Sequence, residues 1–179
     1  GKFRSIAQIL KANGEIDVVR FQNEMGIQLF TGGNFRQAAL RFRRGIELDP
    51  SNTDFWLANS QALLNLGSPV ELLETLKKLE QSGNDLDDSQ KAEVTRLTAL
   101  AHYGVGNKYY ANKEDALGAK EFELAEGLLL KAREDFPNSE PIIETLAQVY
   151  LFTERYQEAA AMCDTHLNLN SDSVNARQT

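Results

Sequence analysis

Apolar residues recur along this chain at intervals of three and four, the spacing that places side chains on one side of a helix. Ile27, Phe30 and Thr31 share one such face. After a Gly-Gly-Asn break of the kind that turns favour, Ala38 and Phe42 share the next face. No segment alternates apolar and polar residues as a half-buried strand does. The pattern predicts an all-α protein.

The helical pattern also repeats itself at a fixed interval, the one that separates Gly33 from Gly67. The other positions that correspond at this interval are Ala38 and Leu72, Phe42 and Leu76, Gly45 and Leu79, Phe122 and Tyr156, Ala125 and Ala159, and Ala132 and His166. A constant period of about 34 residues is typical of stacked helical repeats, in which each layer packs only on its neighbours.

These repeats resemble the tetratricopeptide repeat (TPR), a helix–turn–helix unit with the pattern W-x2-L-G-x2-Y, A-x3-F, A and P. The matches are Met25-Gly26, Leu29, Ala38-x3-Phe42, Gly45 and Pro50 in the first repeat, Trp56, Leu63 and Leu72-x3-Leu76 in the second, and Leu146-Ala147, Tyr150 and Ala159-x3-Cys163 in the last. Gln22, Asn59-Ser60 and Ser171 depart from the pattern. The resemblance covers residues 19–173 and implies a right-handed α-solenoid of helix–turn–helix repeats.

The resemblance divides the chain into repeats. Residues 1–18 are an N-terminal helix that could be the remnant of a preceding repeat. The four repeats are expected at 19–52, 53–86, 87–139 and 140–173, and residues 174–179 are the start of a further helix or a tail. Because no strongly polar capping helix follows residue 173, we expect the chain to be part of a longer protein.

The third repeat is elongated, because the interval from Leu72 to its counterpart Ala125 is well over one repeat period. Two alignments remain open. Leu97, Leu100 and Ala101 could be its first-helix anchors, with the excess near Asn112, or Val105-Gly106-x2-Tyr109-Tyr110 could be the match, with the excess earlier. In both cases residues 89 to about 111 and 113 to about 136 are predicted as two long helices. The turn between them would carry Tyr109, Tyr110, Asn112 and Lys113 at a raised tip.

Composition narrows the function classes. The chain is 42% hydrophobic and 25% charged, which is typical of a globular protein. Its formal net charge of −7 gives little electrostatic support to nucleic-acid binding. No apolar run approaches the roughly 18 residues that cross a membrane, so no direct membrane insertion is expected. Neither a cytoplasmic nor a periplasmic location is favoured.

Candidate catalytic chemistry is sparse. Cys163 and His166 share a helical face and could in principle form a catalytic or metal pair, but the repeat pattern places both at packed core positions. Residues 84–88 resemble the start of a calcium loop, yet the required glycine is absent and Arg96 stands where the bidentate glutamate belongs. We therefore predict no enzyme, no catalytic residue, no metal and no cofactor.

The resemblance instead implies a partner-binding groove, since the first helices of successive TPRs line a concave face. The residues expected in this groove are Asn23, Glu24, Ile27, Phe30, Leu57, Ala58, Gln61, Leu64, His102 with Val105 or Tyr103, Glu144, Thr145, Gln148, Leu151 and Phe152. The family's basic clamp for a chaperone's acidic C-terminal tail is not matched, because Asn23 and Ile27 stand where its first lysine and asparagine would be. That ligand class is rejected.

A second surface is basic. Arg36, Arg41, Arg43 and Arg44 concentrate positive charge on one helix. A solvated face paired with Glu47 or Glu24 is the preferred interpretation, and an acidic protein partner docking on this convex side is the alternative.

The predicted function is a protein–protein interaction scaffold that binds a peptide or helix of a partner in the groove, in an assembly or adaptor role. Two alternatives stay open: a scaffold that self-associates through its repeat ends, and a regulatory or accessory region of a larger enzyme.

Overall fold

The computed structural model describes the backbone of residues 17–176 and the side chains of residues 17–169. This part of the chain is all helix and turn, with no strand, as the sequence predicts. Its helices are α1 (Val18–Thr31), α2 (Phe35–Leu48), α3 (Thr53–Asn65), α4 (Pro69–Gln81), α5 (Asp88–Ala111), α6 (Asp115–Asp135), α7 (Glu140–Phe152) and α8 (Tyr156–Ala176). Most of the N-terminal segment 1–18 lies outside the described residues.

The helices form two compact units that divide between Asn84 and Asp85. In the first unit α2 packs on α1 and on α3, and α3 packs on α4. In the second unit α6 packs on α5, α7 packs on both of them, and α8 packs on α7. Helix α8 runs without interruption through residues 174–176, which the sequence assigned to a further helix or a tail.

The same turn joins the two helices of every pair. In the α1–α2 turn Gly33 has φ 76°, and the Asn34 N–H donates to the Leu29 carbonyl over 2.8 Å. The other three turns repeat this bond, in which an N–H reaches back five residues, at Ser68, Glu114 and Arg155. This is the hydrogen bond that closes a helix end when the preceding residue is left-handed. The repeat is therefore visible in the backbone of all four turns.

Close contact between glycine and an aromatic ring fixes the helices of the first unit. A Cβ on Gly26 would overlap the Phe42 ring, and a Cβ on Gly45 would overlap the Phe55 ring. Phe42 and Phe55 are fully buried. The small residues Gly26 and Gly45 therefore let these helices approach closely.

The second unit uses the same contact near the tip of its long pair. A Cβ on Gly106 would overlap the Phe122 ring, and a Cβ on Gly118 would overlap the Tyr110 ring. The interval from Gly106 to Phe122 along the chain equals the interval from Gly26 to Phe42. Towards the tip, the structure therefore agrees with the alignment that starts at Val105-Gly106.

The opposite end of the long pair holds the core of the second unit. This core contains Ala99, Ala125, Leu129, Ala132, Ile142, Ile143, Leu146, Val149 and Ala159. Helix α5 has 24 residues and α6 has 21, compared with 14 in each of α1 and α2. The predicted pair of long helices is confirmed, and the additional residues lengthen both members of the pair. The repeat boundaries themselves stay a prediction.

Candidate partner-binding site

The residues predicted on the first helix pair and the second lie on α1 and α3. On α1, Asn23, Glu24 and Ile27 are exposed, and Ile27 shows 51% of its surface, while Phe30 is half-buried against Phe35. The Glu24 carboxylate accepts a hydrogen bond from Arg20 over 2.7 Å on this exposed face. This pairing raises the pKa of Arg20 above its usual value.

The predicted residues of α3 are less accessible. Leu57, Ala58, Gln61 and Leu64 are all half-buried. The start of this helix is held by Trp56, whose indole N–H donates to the Pro50 carbonyl over 2.9 Å. The Asn84 amide donates to the same carbonyl over 3.0 Å. Asn84 stands one repeat period after Pro50, so the period itself could have indicated this contact.

The most exposed apolar surface of the predicted set lies on the second unit. Phe152, at the end of α7, is 70% exposed, and its ring centroid lies 5.2 Å from that of Tyr103 on α5. Tyr103 stacks on Phe122 of α6 at 5.0 Å, and Phe122 stacks on Tyr110 at 5.4 Å. We call these four rings the aromatic row. It crosses three helices of one compact unit.

Polar groups flank the aromatic row. Burial raises the pKa of the Tyr103 hydroxyl, and a side-chain hydrogen bond with Asn107 offsets part of the rise. Gln148 is exposed one turn before Phe152 on α7, and the exposed Leu151 stands three residues after Gln148. The surface therefore combines apolar groups with uncharged amides. Phe122 and Asn107 were not among the partner-binding residues predicted from the sequence. The interval from Gly26 to Phe42, applied to Gly106, would have indicated Phe122.

Two groove residues of the third and fourth repeats point elsewhere. His102 lies against α6, where its Nδ1 is 2.7 Å from Oε2 of Glu121. Thr145 is only 3% exposed, and its hydroxyl donates to the Pro141 carbonyl over 2.7 Å. The expectation that Thr145 lines a groove is wrong, because its side chain is buried. Glu144 is exposed but lies 3.6 Å from Nε2 of His166.

The predicted core position of Cys163 is also wrong. Cys163 is exposed, whereas Ala159 and Met162 are the buried residues on this part of α8. His166 is half-buried. Within the described residues, no group of three histidine, cysteine, aspartate or glutamate side chains is placed to hold a metal ion.

The remaining sequence predictions concern charged groups. Arg44 pairs with Glu47, as predicted, and Arg43 lies 3.8 Å from Glu71. Glu24 pairs with Arg20 rather than with the arginines of α2. Arg36 is exposed and Arg41 is half-buried.

Asp87 caps α5 with a reciprocal Asp87–Gln90 bond pair, so this acidic loop begins a helix. In the described part of the chain, no helix has the length and apolar character needed to cross a membrane.

Solved structures share this fold. A double mutant of MamA RS-1 matches with a TM-score of 0.58 and 19% identity, over 96% of this chain and 94% of that one. MamA 41-end from Desulfovibrio magneticus RS-1 matches with a TM-score of 0.58 and 17% identity, over 95% and 94%. The chain has the tetratricopeptide-repeat fold. The predicted all-α solenoid class is thereby confirmed.

A more distant TPR structure is YrrB, described as a TPR protein with an unusual peptide-binding site. It has a TM-score of 0.37 and 14% identity, and the match covers 97% of each chain. No protein-family model matches the sequence, and no curated protein matches it. The TPR assignment therefore stands on the fold and on the repeat geometry described above.

Proposed function

We propose that this chain is a non-enzymatic scaffold that binds an extended or helical segment of another protein, in an assembly or adaptor role. The observation that carries the proposal is the aromatic row, which ends in the 70% exposed ring of Phe152. A large apolar side chain on a surface gains free energy when a partner removes it from water. Aromatic residues are also enriched among the residues that dominate binding energy at interfaces.

The groups beside the aromatic row support a protein partner. Leu151 extends the apolar surface along α7, and Gln148 and Asn107 offer amides that can donate to and accept from a peptide backbone. Glu144, four residues before Gln148 on α7, is exposed and lies 3.6 Å from Nε2 of His166. Because the rings and amides are uncharged, we expect partner binding to depend only modestly on salt.

The face of α1 is a second candidate contact surface. Ile27 is half exposed, and Asn23 lies one turn before it on the same helix. Leu57, Gln61 and Leu64 of α3, which the sequence places in the predicted groove, are half-buried and offer a partner less surface. We therefore propose that the aromatic row contributes more binding energy than the α3 residues.

The proposal is tested by selecting peptides from a displayed random library on the immobilised chain and titrating them against variants. Phe152→Ala should weaken the selected peptides by about tenfold or more, since hot-spot truncations cost about 2 kcal/mol or more. Leu57→Glu and Leu64→Glu should weaken them less. Arg43→Glu on α2 is the matched surface control and should leave binding unchanged.

The opposite result would favour the other surface. If only Arg43→Glu abolished binding, the arginines of α2 would be the docking site and the selected peptides should be acidic. Because Phe152 is 70% exposed and its ring contact is with Tyr103, Phe152→Ala should lower the melting temperature only slightly, so a loss of binding would report contact rather than unfolding.

A further inference from the structure

The outward face of α6 has leucines at equal distances on both sides of Gly127, and charges of opposite sign at equal distances beyond them. The buried face of this helix holds Gly118, Ala125, Leu129 and Ala132. Gly127 lies on the opposite side, and a Cβ placed there would have no atom within 4 Å. Glycine lowers the stability of a helix interior. Because no neighbouring atom fills the space beside Gly127, this glycine has no packing benefit within the described part of the chain. Open space next to an exposed glycine does permit another helix to approach closely.

Leucines flank this glycine at equal distances. Leu124 stands three residues before Gly127 and Leu130 three residues after it. They are 51% and 39% exposed. Residues three apart on a helix are neighbours on its surface, so the two leucines and the glycine form one continuous strip.

Charges of opposite sign flank the strip, again at equal distances. Glu123 is four residues before Gly127 and Lys131 is four after it. Lys120 is seven residues before Gly127 and Glu134 is seven after it. All four side chains are exposed, and among the described residues the structure gives none of them an ion-pair partner. Each charge thus has an opposite charge at the mirror position along the helix.

We propose that this face pairs with a second copy of the chain, in an antiparallel dimer whose twofold axis passes beside Gly127. An antiparallel pairing of two identical helices places residues at equal distances from the axis opposite each other. Lys120 would face Glu134 of the second copy, and Glu123 would face Lys131 of the second copy. The leucines would meet across the axis, where the glycines allow the backbones to approach.

The charge pattern favours a second copy of the chain as the partner and an antiparallel orientation of the two α6 helices. In a parallel pairing each lysine would face its own counterpart, and like charges across an interface disfavour association. A contact through one helix face is small, so we expect a weak, reversible dimer. It closes on itself and does not extend, unlike association through the ends of a repeat array, which would continue into longer assemblies.

Sedimentation velocity on the whole chain over a range of concentrations tests this. The wild-type chain should shift reversibly from monomer to dimer and go no further. Lys120→Glu and Glu134→Lys should each weaken the dimer by about tenfold, because each change creates two like-charge contacts in a twofold interface. The double variant Lys120→Glu/Glu134→Lys should restore the dimer, since both contacts are attractive again. Lys108→Glu, on exposed surface of α5, is the matched control and should change nothing.

A second variant separates interface effects from folding. Gly127→Gln should raise helix stability, because glutamine favours the helix more than glycine does, and should weaken the dimer by obstructing the close approach. Circular dichroism should show that all variants stay helical. A monomer at every concentration, open-ended polymers, a dimer that ignores the single charge reversals, a double variant that does not recover, or unchanged dimerisation of Gly127→Gln would each overturn the proposal.

Discussion

The α1–α2 pair and the α5–α6 pair are built on the same contact but differ in length. In both, a glycine on the first helix accepts an aromatic ring from the second at the same interval along the chain, Gly26 with Phe42 and Gly106 with Phe122. Both are joined by the same left-handed turn. Yet α5 has 24 residues where α1 has 14, and α6 has 21 where α2 has 14. The contact near the turn thus specifies how two helices pair, and it leaves their length free.

The two pairs also differ in how deeply the shared ring is buried. Phe42 is buried, and both α1 and α3 pack on α2, the helix that carries it. Phe122 is half-buried, and its ring continues into the aromatic row. The same residue type at the same distance from the turn therefore serves the core in one pair and contributes to the surface in the other.

The largest expected effect tests this difference in burial. Phe42→Ala should lower the free energy of unfolding by about 3–5 kcal/mol, because it removes a fully buried ring. Phe122→Ala should cost clearly less, since part of that ring already contacts water. Urea denaturation of both variants measures the two values. Equal losses would show that the two rings contribute equally to stability, which would contradict the difference in burial between Phe42 and Phe122.

Adding one methyl group to the shared glycine should have an intermediate effect in both pairs. Gly26→Ala and Gly106→Ala should each lower the free energy of unfolding by about 1–3 kcal/mol, because the new Cβ would overlap a ring. Gly127→Ala is the internal control. With open space around it, this change should raise stability by about 0.5–1 kcal/mol at concentrations where the chain is monomeric. A stabilising Gly106→Ala would contradict the proposed role of the contact.

The turns of the two pairs should give a smaller difference in stability. Gly33 and Lys113 occupy the same turn position, with φ 76° and φ 63°. A side chain is strained there and glycine is not. Lys113→Gly should therefore stabilise the chain by about 0.5–1 kcal/mol, and Gly33→Ala should destabilise it by a similar amount. Thermal melts of the two variants should shift in opposite directions, and shifts of the same sign would rule out a common turn.

The smallest effect concerns the alkaline pH range. Burial raises the pKa of Tyr103 above its usual value of 10.0. The neutral hydroxyl is therefore favoured in the folded state; its contribution is complete below the unfolded pKa and is lost as the pH rises through the folded pKa. Tyr103→Phe cannot ionise, so the unfolding free energy of this variant should fall less steeply at alkaline pH than that of the wild type. Urea titrations on either side of the unfolded pKa compare the slopes; identical slopes would mean that the Tyr103 hydroxyl is as exposed in the folded chain as in the unfolded one.

Much of the fold could be predicted because each helix pair packs only on its neighbours, so the pattern of large and small residues, with its period of about 34 residues, indicates the pairing. The close contacts at Gly26 and Phe42 follow from residue size and spacing alone. The candidate site could be predicted only in part, because side-chain partners depend on neighbouring helices. Phe152 was expected on the surface, but neither the Glu121 contact of His102 nor the exposure of Cys163 follows from the helical pattern. The His102 contact depends on which side chain α6 places beside α5.

The length of the α5–α6 pair has a dynamic consequence. From Asn107 to Leu117 no side chain is buried, so the turns next to the tip are held by their own backbone hydrogen bonds and by the Tyr110 stack. Segments with few buried contacts open locally at a lower free energy than the whole domain unfolds. Amide protons should therefore exchange fastest near Asn112 and progressively more slowly towards Leu97 and Leu129. The end that carries Tyr110 can open and close while the base of the pair stays folded.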